Sequence, residues 1–335
     1  MTPFVEISLG GTPLSGFQKR TLSGQIVEYD GEHADELHIA VSNYDGRLRK
    51  PKTDETVMVR LGWKETGAVK VGQFVITEIV KNGPRAEFQI TGHSADLKKT
   101  LKEQKTRSWT KGKKLKDVLE DVAKDNQLEL AVDEELGSIE IEKIIAQTGE
   151  SDMHLVTRLA RQFNALSKFQ NKKLVFVKKG AGKTASGQDA GSETITPNDC
   201  EGFSFSQGAR NERGKGKAVH YDRSKAKRST EESQGGVQSD GVPDYVAPQI
   251  YGTQVEAKWI ALSRKKKFDR ETKRFNCTRA PGQVGLAPGG VATTKGFGDD
   301  DDGEWTVKRR LFGFSADGLV VRMDCEPKEE QQQAG

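Results

Sequence analysis

Cysteine is nearly missing from this chain of 335 residues, which holds only Cys200, Cys277 and Cys325. Three widely spaced thiols make neither a disulfide framework nor a metal-ligand pattern, and such sparing use fits a reducing compartment. Aromatic residues supply 7% and hydrophobic residues 34% of the chain, with a mean hydropathy of -0.69. That is little for one large enzyme core and fits several small β-rich units better. No apolar run approaches the length of a membrane span. Met1-Thr-Pro-Phe-Val-Glu6 has neither the basic start nor the apolar stretch of a secretory leader, which predicts that none is present. Charge of one sign is scarce as well. The 53 basic and 49 acidic residues leave a net +4, mild for a dedicated nucleic-acid binder.

What is present begins as β. Phe4–Leu9 alternates up to Gly10-Gly11, and Leu37–Val41 follows. In Val57, Val59, Leu61 and Trp63 every second side chain is apolar, the period of a half-buried strand. Gly72–Ile79 and Ala86–Ile90 flank the turn cluster Lys81-Asn-Gly-Pro84. Evenly spaced short strands of this kind predict a barrel or sandwich. The period then changes. Leu115, Val118, Leu119, Val122 and Ala123 recur at helical spacing, predicting a helix over 113–126. Ser151 can cap a second helix whose apolar face is Leu155, Val156, Leu159, Ala160 and Phe163, with Asp152 favourably placed at the positive end of its dipole. Lys173–Val177 reads as strand, and 180–194 as an exposed connection. Residues 208–248 are Gly-rich and charged, predicting a long loop or a β-arm ordered only against a neighbour. A helix is expected over 253–266 and a closing β unit from Glu304 onward.

Several patterns imitate chemistry. Gly182-Lys183-Thr184 lacks the earlier glycine of a phosphate loop, since Val177 stands there. In Asp299–Glu304 the fifth and twelfth positions of a calcium loop would be Gly303 and Arg310, so an acidic turn is expected. The five histidines, His33, His38, His93, His154 and His220, are scattered. Glu150 and Asp152 could pair for glycoside hydrolysis, but at a helix start they serve the helix dipole. The basic stretch Arg264–Lys267 and the run from Arg210 to Arg228 lack the interleaved aromatics of a single-strand binder. No catalytic, metal or cofactor residue is expected.

One stretch says more. Gln147-Thr-Gly-Glu150-Ser151-Asp152, continued by Leu155, Arg158, Leu159 and Ala160, spells Q-x-x-E-S-D-x-x-L-x-x-R-L-A. It resembles the signature of the phage late control gene D family, the baseplate hub proteins of contractile tails, related to the hub part of type VI secretion spike proteins. Leu61-Gly-Trp63, Gly72-Gln-Phe-Val-Ile-Thr-Glu78, Gly92-His-Ser-Ala-Asp-Leu97, Ser108-Trp109, Gly182–Gln188 and Asp302-Gly-Glu-Trp305-Thr-Val307 are similar to further blocks of that family and occur in its order.

The resemblance implies a mainly β fold with an α+β insertion. A first β-barrel domain would span 1–105, the insertion 106–190 and a second barrel 191–326, carrying a long basic loop at 208–248; 327–335 would be a flexible tail. It implies a homotrimer in a pseudo-sixfold ring, joining a hexameric tail tube protein to a trimeric tail spike and contacting other baseplate proteins. The place would be the baseplate of a virion or tailocin, assembled in the host cytoplasm. Genome passage through the ring is compatible with this, without specific nucleic-acid binding and without membrane binding before contraction. Trp63, Phe74, Leu155, Leu159 and Trp305 are expected in the core. Arg210, Arg213, Lys215, Lys217, Arg223, Lys225, Lys227 and Arg228 are candidates for partner contact. The rivals are a type VI secretion hub, a cell-wall hydrolase and a basic nucleic-acid adaptor. The first is disfavoured because no β-helical needle repeat precedes Gly335.

Overall fold

The computed structural model describes residues 2–9, 12–13, 20–31, 33–48, 50–84, 86–94, 99–170, 172–180, 190–208, 213–222, 225–233 and 242–328. Strand makes up 52% and helix 18%, the mainly β class read from the sequence. One 13-stranded sheet carries most of it. Its path runs Cys200–Gln207, Lys273–Arg279, Gly318–Pro327, Gly303–Ser315, Thr21–Tyr29, Glu36–Ser42, Glu87–His93, Gly67–Asn82, Thr56–Trp63 and Pro3–Leu9, ending on Thr12–Pro13. Val291–Thr294 also pairs with Gly303–Ser315, and Ser192–Ile195 with Val291–Thr294. Among the described residues the path is open, with no pairing that closes it into a barrel.

Two β units share this sheet, and their strand orders match. The first runs Thr21–Tyr29, Glu36–Ser42, Glu87–His93, Gly67–Asn82, Thr56–Trp63, Pro3–Leu9, every pairing antiparallel. The second runs Cys200–Gln207, Lys273–Arg279, Gly318–Pro327, Gly303–Ser315, Val291–Thr294, Ser192–Ile195, antiparallel until the last pair, which is parallel. Two bulges coincide as well. The register slips at Leu22 and at Glu201 in the opening strands, and at Thr77 and at Lys308 in the long fourth strands. Bulges are specific features that redirect a strand, so matching bulges in matching strands mark an internal duplication.

Alternation fills the cores. Val57, Val59 and Leu61 point inward while Arg60 points out. They join Ile26, Leu37, Ile39, Phe74 and Ile90, together with Phe312, Phe314 and Val321 from the far end of the chain. The second core holds Ile195, Phe275, Cys277, Trp305, Val307 and Met323. The closing hairpin 303–327 therefore serves both cores: its base fills the second and its tip completes the first. A fully buried Phe such as Phe74 contributes about 1.5–3 kcal/mol through removal of apolar surface from water.

The middle segment is α+β. Gln104–Trp109 pairs with Ile145–Ser151, and Ala165–Gln170, Lys173–Lys178 and Glu129–Val132 form a three-stranded sheet. The helices Leu115–Asp125 and Asp152–Gln162 bury Leu115, Val118, Leu119 and Val122 against Leu155, Val156 and Leu159. The polar residues ahead of Asp152 belong to the strand Ile145–Ser151, bulged at Gly149, which takes φ 59.

The expected basic loop at 208–248 is the clearest departure. Gly216–Asp222 lies between Lys227–Glu232 and Tyr245–Tyr251 in a three-stranded sheet. The helix Gln254–Thr272 packs on it through Ala218, Ala247, Ala257, Ile260 and Ala261. Small residues let backbones approach closely while contributing little hydropathy, so the core was invisible in composition. The helix runs to Thr272, past the expected end at 266. It orders the arm from within the chain, so no neighbour is required. Residues 209–212, 223–224 and 234–241 lie outside the described residues, as do most of the connection before 190 and the tail beyond 328.

Candidate assembly site

The Gln147–Asp152 motif spells out hydrogen bonds. The Asp152 side chain is 0% exposed. It accepts from Lys105 Nζ at 2.7 Å, Asn126 Nδ2 at 2.7 Å, Arg107 Nη2 at 2.8 Å and Gln147 Nε2 at 2.9 Å. Gln147, equally buried, accepts from Arg107 Nε at 2.7 Å and donates to the Glu150 carbonyl at 2.9 Å. Asp125 supplies a second carboxylate to Arg107 at 2.6 Å. Burial pushes the Asp152 carboxyl up; the hydrogen bonds from Lys105, Gln147 and Asn126 and the Arg107 charge outweigh it, holding the group below the usual carboxylate range.

The rest of the motif fixes the helix start. Ser151 Oγ accepts from the His154 amide at 3.2 Å, the cap read from the sequence. Glu150 binds Arg158 at 2.8 Å, and Arg158 also reaches the Ala146 carbonyl at 2.9 Å. Leu155 and Leu159 turn the other way into the core. Dipole complementarity, the role first read for Asp152, is therefore the lesser part. It ties the strand pair Gln104–Trp109 and Ile145–Ser151 to two helices, and with two hydrogen bonds accepted at each carboxylate oxygen it offers no lone pair to a substrate. A buried charge held this way is costly to disturb.

Two further buried ion pairs tie the units together, and neither was legible beforehand. Lys168 Nζ donates to Asp35 at 2.7 Å and to the Tyr29 carbonyl at 3.1 Å, pinning the middle segment to the first β unit. Arg310 Nε donates to Glu28 at 2.6 Å in the seam between the β units.

Trp63, Phe74 and Trp305 lie in the β cores at 3%, 0% and 5% exposure. The basic residues disperse. Lys215 and Lys217 both bind Glu232, and Lys217 also binds Asp244 at 2.7 Å. The Arg213 guanidinium lies 5.5 Å above the Phe268 ring, and Lys225 stands 3.6 Å from Asp222. Lys227 and Arg228 are exposed; Arg210 and Arg223 lie outside the described residues.

In the imitated chemistry, Asp302 accepts from the Gly296 and Phe297 amides at 2.8 and 3.0 Å, making the acidic stretch a turn lock. Gly182–Thr184 is outside the described residues. The thiols are free, and burial pushes Cys277 up to about 12. Among the described residues no three His, Cys, Asp or Glu side chains are grouped to hold a metal ion.

This combination of duplicated sheet and α+β insertion is the fold of tail proteins. The 43 kDa tail protein of prophage MuSo2 from Shewanella oneidensis shares it at a TM-score of 0.72 and 12% identity, over 98% of this chain and 99% of that one. The Escherichia coli c3393 protein, a component of the type VI secretion system, shares it at 0.54 and 13%, over 98% of this chain and 78% of that one. In sequence, the probable baseplate hub protein of Escherichia phage 186 is 25% identical over 352 residues, 94% of this chain and 90% of the relative. The family model of the phage tail baseplate hub (GPD) matches residues 37–315, so the chain belongs to that family and is a baseplate hub of a phage tail.

Proposed function

We propose that the chain works as a homotrimeric adaptor in a contractile tail or tailocin. Three subunits alternate two similar β units around a ring, giving a hexameric tube six near-equivalent docking points and a trimeric spike three true ones. The first β unit spans 1–105, the insertion 106–190 and the second unit 191–326, each β unit rolled toward a barrel. The hub holds the spike, templates the first tube ring, and is assembled with the other baseplate proteins in the host cytoplasm. Genome passage fits the open centre of such a ring. The exposed basic residues Lys225, Lys227 and Arg228, with Arg210 and Arg223, are its partner contacts. The mechanism is assembly, without catalysis.

The matched strand order with matched bulges carries this reading, because a duplicated unit is what converts threefold into pseudo-sixfold symmetry. Mass measurement of the purified protein, alone and with its spike, should give a threefold species; any other count overturns the proposal. Clearing on a peptidoglycan zymogram would overturn the non-enzymatic part. A type VI secretion hub is the second reading, favoured by the fold shared with c3393. Co-purification with a phage tube protein separates the two.

A further inference from the structure

The basic stretch Arg264–Lys267 does not simply face water. Arg264, Lys267 and Arg270 follow one another at intervals of three on the helix Gln254–Thr272, so they share one side of it. That side closes a pocket of about 330 Å³, within the range of small-ligand cavities. Arg161 enters it from the end of the helix Asp152–Gln162, Lys179 from the position after the strand Lys173–Lys178, and Lys308 from the long strand Gly303–Ser315. The middle segment, the arm helix and the closing hairpin thus meet in one cavity, and each brings cations. Its floor is fixed: Arg270 and Asn164 are 7% and 8% exposed, and Arg270 Nη1 donates to Asn164 Oδ1 at 3.1 Å.

Charge in this pocket does not balance. Six cations face two carboxylates, Glu271 and Glu326, an excess of four. Both carboxylates are engaged already. Glu326 lies 3.3 Å from Arg270 Nε and 3.4 Å from Lys308 Nζ, and Glu271 lies 3.8 Å from Lys267 Nζ. The positive field extends past the lining: burial and the charges of Arg270 and Lys178 push Lys266 below the usual lysine range. Like charges crowded where little water screens them repel one another, so the joint carries a cost that a bound anion would remove.

We infer that this pocket binds a small diphosphate anion, which locks the middle segment and the arm helix onto the closing hairpin. Two linked phosphate groups, each carrying about −1.5 to −2 at neutral pH, match the excess. Phosphate also suits the directions of approach. Its tetrahedral oxygens accept from several sides at once, as donors arriving from separate elements require, whereas the two oxygens of a carboxylate share one plane. Among the described residues no aromatic side chain lines the pocket, so the base of a nucleotide finds no stacking wall, and the free anion is the ligand.

The test is calorimetric titration of the full chain with pyrophosphate at fixed ionic strength, which should give one site per chain. The thermal midpoint should climb with the logarithm of pyrophosphate concentration above Kd, as a ligand of the folded state requires, and matched chloride should leave it in place. Arg161→Ser with Arg264→Ser, both at exposed positions of the lining, should weaken binding by about tenfold or more, since each removes charge-assisted hydrogen bonds. Lys267→Gln should weaken it independently. Lys227→Ser with Arg228→Ser, which removes the same charge from the arm, should leave it unchanged. Citrate and ADP should bind more weakly than pyrophosphate. No heat of binding, or an equal response from both double variants, overturns the site. Citrate binding as tightly overturns the phosphate class, and ADP binding more tightly overturns the free anion.

Discussion

Glu28 and Arg310 lie 282 positions apart in the sequence and directly opposite each other in the seam, joined by a hydrogen bond of 2.6 Å. The pair is buried, and Arg310 also donates to the Gly285 carbonyl at 3.0 Å while lying 4.8 Å over the Phe312 ring. One guanidinium thus connects both β units and the loop that follows Arg279. Removing it as Arg310→Ala strands a buried carboxylate and should cost about 3–5 kcal/mol. Replacing both partners by apolar residues, as Arg310→Met with Glu28→Leu, should recover most of that loss. Urea denaturation of the parent and the two variants checks this; a single variant costing under about 1 kcal/mol would show the seam to be held by Phe312 and Phe314 alone.

Acid should loosen the second β unit through Asp199 and the middle segment through Asp152. Hydrogen bonds from Gln283 and Thr196 hold Asp199 at about 2, and Asp152 is held low by its own donors. A depressed carboxyl adds stability that is complete above the unfolded value and disappears as pH falls through the folded one. The window therefore opens at the ordinary aspartate value of 3.8 and extends downward. Asp152→Asn keeps the shape and loses the charge, so its thermal midpoint should be lower at neutral pH and should fall less steeply with acid. Melting curves collected from pH 7 to about 2 measure both slopes, and parallel slopes would remove Asp152 from the account.

Periodicity revealed strands such as Glu36–Ser42 and Thr56–Trp63 and the helices Leu115–Asp125 and Asp152–Gln162 because each buries one regular face. Asp152 was misjudged for a physical reason: its partners Lys105 and Arg107 lie in a strand whose polar alternation resembles a solvated edge. The seam pair was hidden in the same way. The duplication was partly in plain view, since Gly72-Gln-Phe74-Val-Ile76 and Gly303-Glu-Trp305-Thr-Val307 occupy matching places. Two apolar positions and a glycine are too few to establish a repeat until the pairing is known. The arm at 216–251 escaped because alanines and a glycine make its core.

Partner contact by the arm should be electrostatic and confined to its exposed part. Lys215 and Lys217 are already neutralised by Glu232 and Asp244. Lys227→Glu with Arg228→Glu reverses two exposed charges, and surface changes of this kind usually alter stability by no more than about 0.5 kcal/mol. Co-sedimentation with tube or spike protein at low salt should drop several-fold, while Lys215→Ala should leave binding unchanged. Retention on a DNA column should be weak for both proteins. If the reversed variant binds its protein partners like the parent, the contact surface lies elsewhere.

The attachment of the arm depends on one glycine. A Cβ at Gly216 would sit 2.2 Å from the Ala261 carbonyl oxygen and 3.2 Å from Lys265 Cβ. A carbonyl in the middle of a helix cannot move aside without breaking its own hydrogen bond, so the helix as a whole must retreat from the sheet. Ala218, Ala257 and Ala261 then lose contact together. Gly216→Ala should cost about 1–3 kcal/mol, as overpacking does, despite its gain in backbone rigidity. Hydrogen exchange should locate the damage. Protection should fall in the three strands of the arm and on the facing side of Gln254–Thr272, while Gly67–Asn82 stays as slow as in the parent. Uniform loss across both β units would instead mean that the arm and the main sheet unfold as one body.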